Sequence, residues 1–265
     1  MTQELIRLEP LDLVIAGVLV VALAGFSWAG RLGVERSLLI AAARTVIQLL
    51  LVGLVLETLF AHATLYWVAL MGVVMLLVAG YEVMARQKRR FAGFWGFGLG
   101  TAAMFLSSFS VAVLALIALV QPQPWYQPQY AIPLLGMLLG NTMNGIALSV
   151  DRLTDGAWQQ RDVIEARLAL GEPWGVAVEQ IRRDAMRSGM IPMINAMAAA
   201  GIVSLPGMMT GQILAGAPPM EAVKYQILIM FLITVGTGFG TLAAVWFAAR
   251  RLFDERERLR LDRLR

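Results

Sequence analysis

The chain has 265 residues, of which 58% are apolar and only 15% charged, with no Cys and one His, and its mean hydropathy is +0.69. That balance lies outside the soluble globular range and inside that of multi-pass membrane proteins. The missing thiols exclude disulfide scaffolds, Cys-based redox chemistry and thiolate metal sites, and the single imidazole, His62, excludes a zinc or haem enzyme built on several His ligands.

Charge-free runs locate the spans, because a crossing needs about 20 residues of apolar helix. The acidic flank 1-MTQELIRLEPLD-12 has the wrong sign for a signal peptide, so the first apolar run is expected to be a retained helix. The run 91–150 is long enough for two spans and is broken at 121-QPQPWYQPQY-130, where prolines and interfacial aromatics stop both helices. Seven spans are expected in one membrane domain, near 11–30, 37–59, 65–85, 95–119, 131–150, 190–214 and 223–249. With the loops 31–36, 86–90 and 151–189 and the tail from 250 on one side, that side, together with Arg44 near its face, holds all but Arg7 and Lys224 of the 22 Lys and Arg. The positive-inside rule makes it cytoplasmic, with the N-terminus outside and the C-terminus inside. The tail 250-RRLFDERERLRLDRLR-265 is interrupted by acids, which argues against nucleic acid and for a partly helical end near anionic lipid.

Polar residues inside the spans are the candidates for a pathway or gate. In span two, Arg44 either snorkels to the near interface or faces a protein interface shared with Gln48 one turn on. Glu57 ends that span on the opposite half. Span five carries Asn141 and Asn144 beside Met137 and Met143, with Gly136-x-x-x-Gly140 permitting a tight helix crossing. The amides either serve that crossing or line a route for substrate. In span six, 204-SLPGMMTG-211 is expected to break the helix at Pro206 and Gly207, as a hinge or a static kink. Met208 and Met209 are weak metal candidates, since thioethers favour soft ions such as Cu(I) and most Met in such a chain is packing material. Glu221 and Lys224 open span seven, spaced to pair.

Between spans five and six lies 151-DRLTDGAWQQRDVIEARLALGEPWGVAVEQIRRDAMR-187, too polar to cross. A helix capped by Asp155 is expected from about 157 to 170, ended by Gly171 in the left-handed conformation, with Pro173 opening the next. There Trp174, Val178, Ile181 and Ala185 share one face, ringed by Glu179, Arg182, Arg183 and Arg187. Composition leaves two readings of this element open: an interfacial helix on the headgroups, or a docking helix for a cytoplasmic partner.

The segment Glu165-Ala166, then Gly171, Glu172-Pro173-Trp174 and a basic continuation resembles the EAA loop of ATP-binding-cassette permeases, the helix pair that docks into the ATPase subunit. Arg167 stands where that pattern has a second alanine, and no Leu-Pro closes it near 183–184. With Arg44, Gln48, Leu49 and Gly53, 132-IPLLGMLLGNTM-143, 201-GIVSLPGMMTG-211 and 222-AVKYQI-227, the chain resembles the FetB-like iron export permeases, related to plant aluminium-tolerance transport proteins, from about residue 30 to 250. The resemblance implies an all-α permease with Glu165, Ala166, Gly171, Pro173, Trp174, Val178 and Ile181 coupling it to two copies of a cytoplasmic ATPase. It also implies a second copy of the chain, iron as the exported substrate and a place in the bacterial inner membrane. No Ser-His-Asp set, paired acids or phosphate-binding glycine loop is present, so neither catalysis nor ATP binding is expected here. ATP-Mg belongs on the partner. A channel or secondary carrier is the rival class, and it would show internal repeats or buried coupling acids.

Overall fold

The computed structural model describes residues 9–61 and 63–265. His62, and Arg7 with the rest of the acidic flank up to residue 8, lie outside the described residues. Helix α1 (Pro10–Ala29) opens on a capping box in which the Glu9 N–H donates to Asp12 at 2.9 Å. Next come α2 (Glu35–Ala61), α3 (Leu65–Ala85) and α4 (Phe94–Met104). The last of these continues through a π turn at Phe105–Phe109, a helical segment α5 (Ser110–Leu114) and a second π turn at Ala115–Val120. Helix α6 (Pro128–Gln159) is followed by α7 (Arg161–Ala169), α8 (Trp174–Ala177), α9 (Glu179–Ala199), α10 (Gly207–Leu214) and α11 (Pro219–Arg251). The protein is therefore an all-α polytopic membrane bundle. Among the described residues six helical stretches are long and apolar enough to cross a bilayer: α1, α2, α3, Phe94–Val120, α6 and α11.

The chain divides into two compact units. One contains α1, α2 and Leu214–Ala217, and the other contains Thr64–Ile213 and Pro218–Arg265. In the first, α1 packs on α2, and Ser27 donates to the Glu35 carboxylate at 3.3 Å. In the second, α6 is the central helix, packed against α11, α9 and α3.

The helices of the second unit approach so closely because glycines meet threonines. A Cβ on Gly145 would lie 2.7 Å from Thr237 Cγ2 and 3.1 Å from the Gly189 carbonyl oxygen. One on Gly189 would lie 2.6 Å from the Gly145 carbonyl, and one on Gly240 would lie 2.5 Å from Thr142 Cγ2. The α6 and α9 backbones thus touch at Gly145 and Gly189, and α11 packs on both through its threonine side chains, the arrangement that small residues permit where lipid gives no hydrophobic drive. Within the chain, the crossing expected at Gly136-x-x-x-Gly140 is not the one used. Gly136 faces only the Met75 side chain, and a Cβ on Gly140 would have nothing within 4 Å.

Three further expectations are corrected. Asp155 caps no helix, because α6 runs unbroken to Gln159 and projects its last turns beyond the apolar run. The segments expected as a separate amphipathic helix and the first half of span six are one helix, α9, which carries Pro192 inside it. The span expected at 190–214 is two pieces: α9 ends at Ala199, whose carbonyl accepts from the N–H groups of Val203 and Ser204, Gly201 turns left-handed at φ 82°, and α10 begins at Gly207. Pro206 stands just before α10, where a missing N–H is harmless, so Gly201 and not Pro206 makes the turn.

This packing makes a paired prediction. Gly240→Ala forces a methyl into Thr142 and Ser107 and should lower stability by about 1–3 kcal/mol. Gly140→Ala meets nothing and should be neutral or stabilising by up to about 1 kcal/mol through helix propensity. Thermal unfolding in detergent, with both variants in one series, checks the contrast.

Candidate functional site at the basic end of the bundle

The turn between α7 and α8 is built by a full Schellman closure. The Glu172 N–H donates to the Arg167 carbonyl at 3.1 Å and the Gly171 N–H to the Leu168 carbonyl at 3.0 Å, with Gly171 at φ 88°. Arg167 then braces the turn from inside: its Nε donates to Glu172 Oε2 at 2.7 Å and its Nη1 to the Ala177 carbonyl at 3.1 Å. An alanine at 167 could do neither, which gives this chain's departure from the EAA pattern a physical reason. Pro173 is extended and leads into α8.

The stripe expected to face a partner does not do so. Val178, Ile181 and Ala185 are buried within the chain, and the Ile181 side chain lies over Gly156 of α6. What stands exposed is the turn itself, with Glu165, Ala166, Gly171, Pro173 and Val176 around Leu170, which is 84% exposed. Leu170 was missed in the sequence because it has no partner in any periodic stripe. Its signal is its place directly before the left-handed glycine, at the apex of the turn.

Trp174 is half-buried and holds the C-terminal tail. Its ring lies 5.6 Å from that of Phe253, with the Arg182 and Arg250 guanidinium groups 5.9 and 5.8 Å from its centroid. Its N–H donates to Glu257 Oε2 at 3.0 Å. The tail is thus a folded strap whose helical parts are the end of α11 and a short 3₁₀ turn at Leu261–Arg263. It pairs antiparallel with the loop after α3: Arg90 and Arg265 exchange backbone bonds at 3.1 and 2.8 Å, and the Ala92 N–H donates to the Arg263 carbonyl at 2.8 Å. Arg263 Nη1 donates to the Arg251 and Phe253 carbonyls, closing the end of α11. Burial, then the nearby Arg251 and Arg260 charges, lower the Arg263 pKa from its ordinary value.

Asp254 organises the turn of the strap, accepting from the N–H groups of Arg256 and Arg258 at 2.9 and 3.0 Å and from Arg258 Nε at 2.8 Å. The Arg258 N–H is the chief cause that holds its pKa down at about 2; partial burial opposes it, and the Arg258 side chain and Arg256 N–H add to it. Between strap and turn lies an open groove of about 510 Å³ lined by Glu165, Leu168, Glu172, Arg256 and Leu259 among others.

The α3–α4 loop is held by α6 in turn. Arg86 donates to Asn144 Oδ1 at 2.5 Å and pairs with Glu82 at 3.8 Å, the Lys88 N–H donates to Asp151 at 2.7 Å, and Arg89 pairs with Asp155 and lies over the Trp158 ring. Asn141 bonds its own helix, donating to the Met137 carbonyl at 2.8 Å. Asn141 and Asn144 fall on an exposed row of α6 with Pro133 and Leu148, beside the open Gly140. Met208 lines a small apolar cavity of about 50 Å³ with Met137, Tyr130 and Tyr225, while Met209 is half-buried nearby in sequence. Gly207 is exposed and Pro206 half-buried. Arg44, Gln48 and Glu57 lie on the exposed surface of α2, in the first unit. Among the described residues no group of three or more His, Cys, Asp or Glu could hold a metal ion.

A family profile described as "Uncharacterised protein family (UPF0014)" matches residues 10–253. The chain belongs to the UPF0014 family. Similar UPF0014 relatives include the UPF0014 membrane protein slr1647 of Synechocystis, 39% identical over 98% of this chain and 99% of that one. The Protein ALUMINUM SENSITIVE 3 of Arabidopsis thaliana is 33% identical over 81% of this chain and 77% of its own length. The Probable iron export permease protein FetB of Escherichia coli is 29% identical over 96% of both. No solved structure matches. Like its UPF0014 relatives this is a multi-pass membrane protein.

The strap should be pH-sensitive on the acid side only. Because the Asp254 pKa is depressed below its ordinary 3.8, its contribution is complete above that value and is lost as pH falls through about 2. Asp254→Asn should mimic the loss at neutral pH, raising tryptic cleavage after Arg256 and Arg258 several-fold while the helical far-UV signal stays intact.

Proposed function

We propose that this chain is the membrane permease of an ATP-driven ABC transporter, working as a pair of copies with two cytoplasmic ATPase subunits and exporting iron from a bacterial cytoplasm across the inner membrane. The observation that carries this reading is the braced turn Arg167–Ala177 at the basic end of the bundle. It is a rigid knob with an exposed apolar tip, and such a surface suits an apolar groove on a soluble partner. Positive charge concentrated at that end supports a cytoplasmic location for it, with the N-terminus outside and the C-terminus inside. Iron comes from the printed name of the Escherichia coli relative, which is similar over nearly its whole length.

In this reading Glu165, Ala166, Leu170, Gly171, Pro173 and Val176 meet the ATPase, which holds the ATP-Mg. Trp174, Val178 and Ile181 act from behind, fixing the turn to the strap and to α6. The exposed row of α6 at Gly140, Asn141 and Asn144 is where a second copy or the substrate path is placed, with Arg44, Gln48 and Glu57 of α2 and the Pro206–Met209 segment as further candidates for a gate. A second reading keeps the permease but changes the cargo to another metal or a small metabolite, and the name of the Arabidopsis thaliana relative favours a metal. ATP-dependent uptake into inverted vesicles containing permease and ATPase, compared across several metals, decides between them.

Leu170→Glu should abolish copurification with the ATPase while leaving stability within about 0.5 kcal/mol, because the side chain is exposed in the free permease. Val178→Asp should fail differently, destabilising the permease by about 3 kcal/mol or more through a buried unpaired charge. Retained binding in the Leu170 variant, measured by pull-down, would remove the turn from the interface.

A further inference from the structure

The packed crossing of α6, α9 and α11 contains more oxygen than packing requires. Thr142, Thr237 and Thr241 are each 2% exposed or less, and their hydroxyl oxygens have no hydrogen-bond partner among the described residues. In an apolar medium a threonine ordinarily bonds a carbonyl of its own helix, as Thr234 does with Met230 at 2.7 Å and Thr154 with Val150 at 3.0 Å. A buried hydroxyl left without a partner is costly, and three around one crossing call for a reason.

The oxygens beside the crossing are a mixed set, since Ser107 Oγ already donates to the Ala103 carbonyl at 2.8 Å. Thr241 Oγ1 lies 3.0 Å from where a Gly145 Cβ would stand, and Ser107 Oγ lies 2.8 Å from that of Gly240. The Gly145 and Gly189 carbonyl oxygens lie at the same seam, 2.6 Å from the Gly189 Cβ position and 3.1 Å from the Gly145 Cβ position. Ser107 belongs to the π turn Phe105–Phe109, a distortion that interrupts regular backbone pairing beside this seam. Carbonyls accept and never donate, and hydroxyls can turn their lone pairs inward, so the set suits a cation and disfavours an anion. All its ligating atoms are oxygen, the preference of hard metal ions, and no thioether belongs to it. Thr142 lies nine residues before Asp151 and Thr241 nine before Arg250, so helix rise places both about 13 Å from the basic end, toward the centre of a hydrocarbon layer about 30 Å thick.

We propose that the hydroxyls of Thr142, Thr237 and Thr241 and the carbonyls of Gly145 and Gly189, with Ser107 at the edge, form a mid-membrane station where a hard metal cation is held when the crossing parts. The seam is closed in this structure, so the station is occluded until α9 or α11 moves. This inference rests on the transport reading for its role, but the site itself is tested without any ATPase.

Thr→Val at positions 142, 237 and 241 keeps shape and removes the oxygens. The triple variant should fold with unchanged or higher thermal stability, since it loses unpartnered hydroxyls, whereas a Thr→Ser triple keeps the oxygens at the cost of small voids. In detergent, Fe²⁺ under anaerobic reducing conditions should raise the unfolding temperature of the wild type and of the Ser triple, and should not raise that of the Val triple. Cu⁺ should not distinguish the three proteins. In vesicles with the ATPase, the Val triple should lose transport about tenfold or more and the Ser triple should retain most of it. A wild-type Fe²⁺ shift that persists in the Val triple, or no shift in the wild type, overturns the station. So does equal loss of transport in the Val and Ser triples, which would indicate packing alone. Fe²⁺ binding that depends on the hydroxyls without ATP-dependent transport would instead overturn the ABC reading and leave the station standing.

Discussion

The contact on which the second unit depends is the approach of the α6 and α9 backbones at Gly145 and Gly189, with Gly240 of α11 set against the Thr142 side chain. Lipid is as apolar as leucine, so helices in a bilayer gain little by burying leucine against leucine and must gain by packing density and close polar contact. A side chain at any of these three glycines would separate α6 from α9 or α11 and would break the arrangement that carries the basic-end loops. From that crossing α6 continues past the apolar run, and its projecting turns supply Asp151, Asp155 and Trp158 to hold the loop after α3. The loop in turn pairs with the C-terminal strap, and the strap with Trp174. The knob at Leu170 therefore stands at the end of a chain of fixed contacts that begins inside the membrane.

The strap carries a dense ionic cluster of its own, in which Asp254 pairs with Arg258 and Arg260 and Asp262 pairs with Arg260. Asp254 gathers three donors from Arg256 and Arg258, and Glu257, left-handed at φ 58°, turns its carboxylate to the Trp174 N–H. A non-glycine residue in that conformation costs about 1 kcal/mol, and the bond to the start of α8 offsets it. Exposed pairs such as Arg183–Glu179 add little by comparison. The strap's worth lies in joining three elements that are distant in sequence: the end of α11, the α3–α4 loop and the α7–α8 turn.

Much of this was legible in the sequence, and the parts that were not have identifiable physical causes. Hydropathy alone revealed an all-helical membrane chain, and Gly171 with Pro173 marked the turn at 170, because helix ends leave local chemical signatures. The crossing was misplaced because Gly136-x-x-x-Gly140 and Gly236-x-x-x-Gly240 have the same spacing, and which glycine pair meets another helix is decided by tertiary packing. The stripe Val178–Ile181–Ala185 was correctly recognised as apolar, but an amphipathic face does not say whether its cover is another helix of the same chain or a partner. Here the cover is α6. The strap carried no periodic signal, since the bonds that fasten it to the α7–α8 turn and the α3–α4 loop run to residues more than eighty positions away.

The geometry of α9 ties the two ends of the molecule's second unit together. It begins directly after the knob, passes Gly189 through the crossing and ends at Ala199, with no break between Glu179 and that point. Over the ten residues from Glu179 to Gly189 a regular helix spans about 15 Å. On the proposed coupling reading, a displacement imposed on the knob enters α9 at Val178 and is carried by a continuous helix to the Gly145–Gly189 contact. Beyond Ala199 the chain is free to follow, because the turn at Gly201 and the exposed Ile202 and Val203 separate α9 from α10. An unbroken helix from Glu179 to Leu214 would have anchored the far end in the opposite half of the membrane and resisted that motion. With the break, the continuous helix is confined to the stretch that joins the knob to the crossing, and the turn at Gly201 lies beyond it.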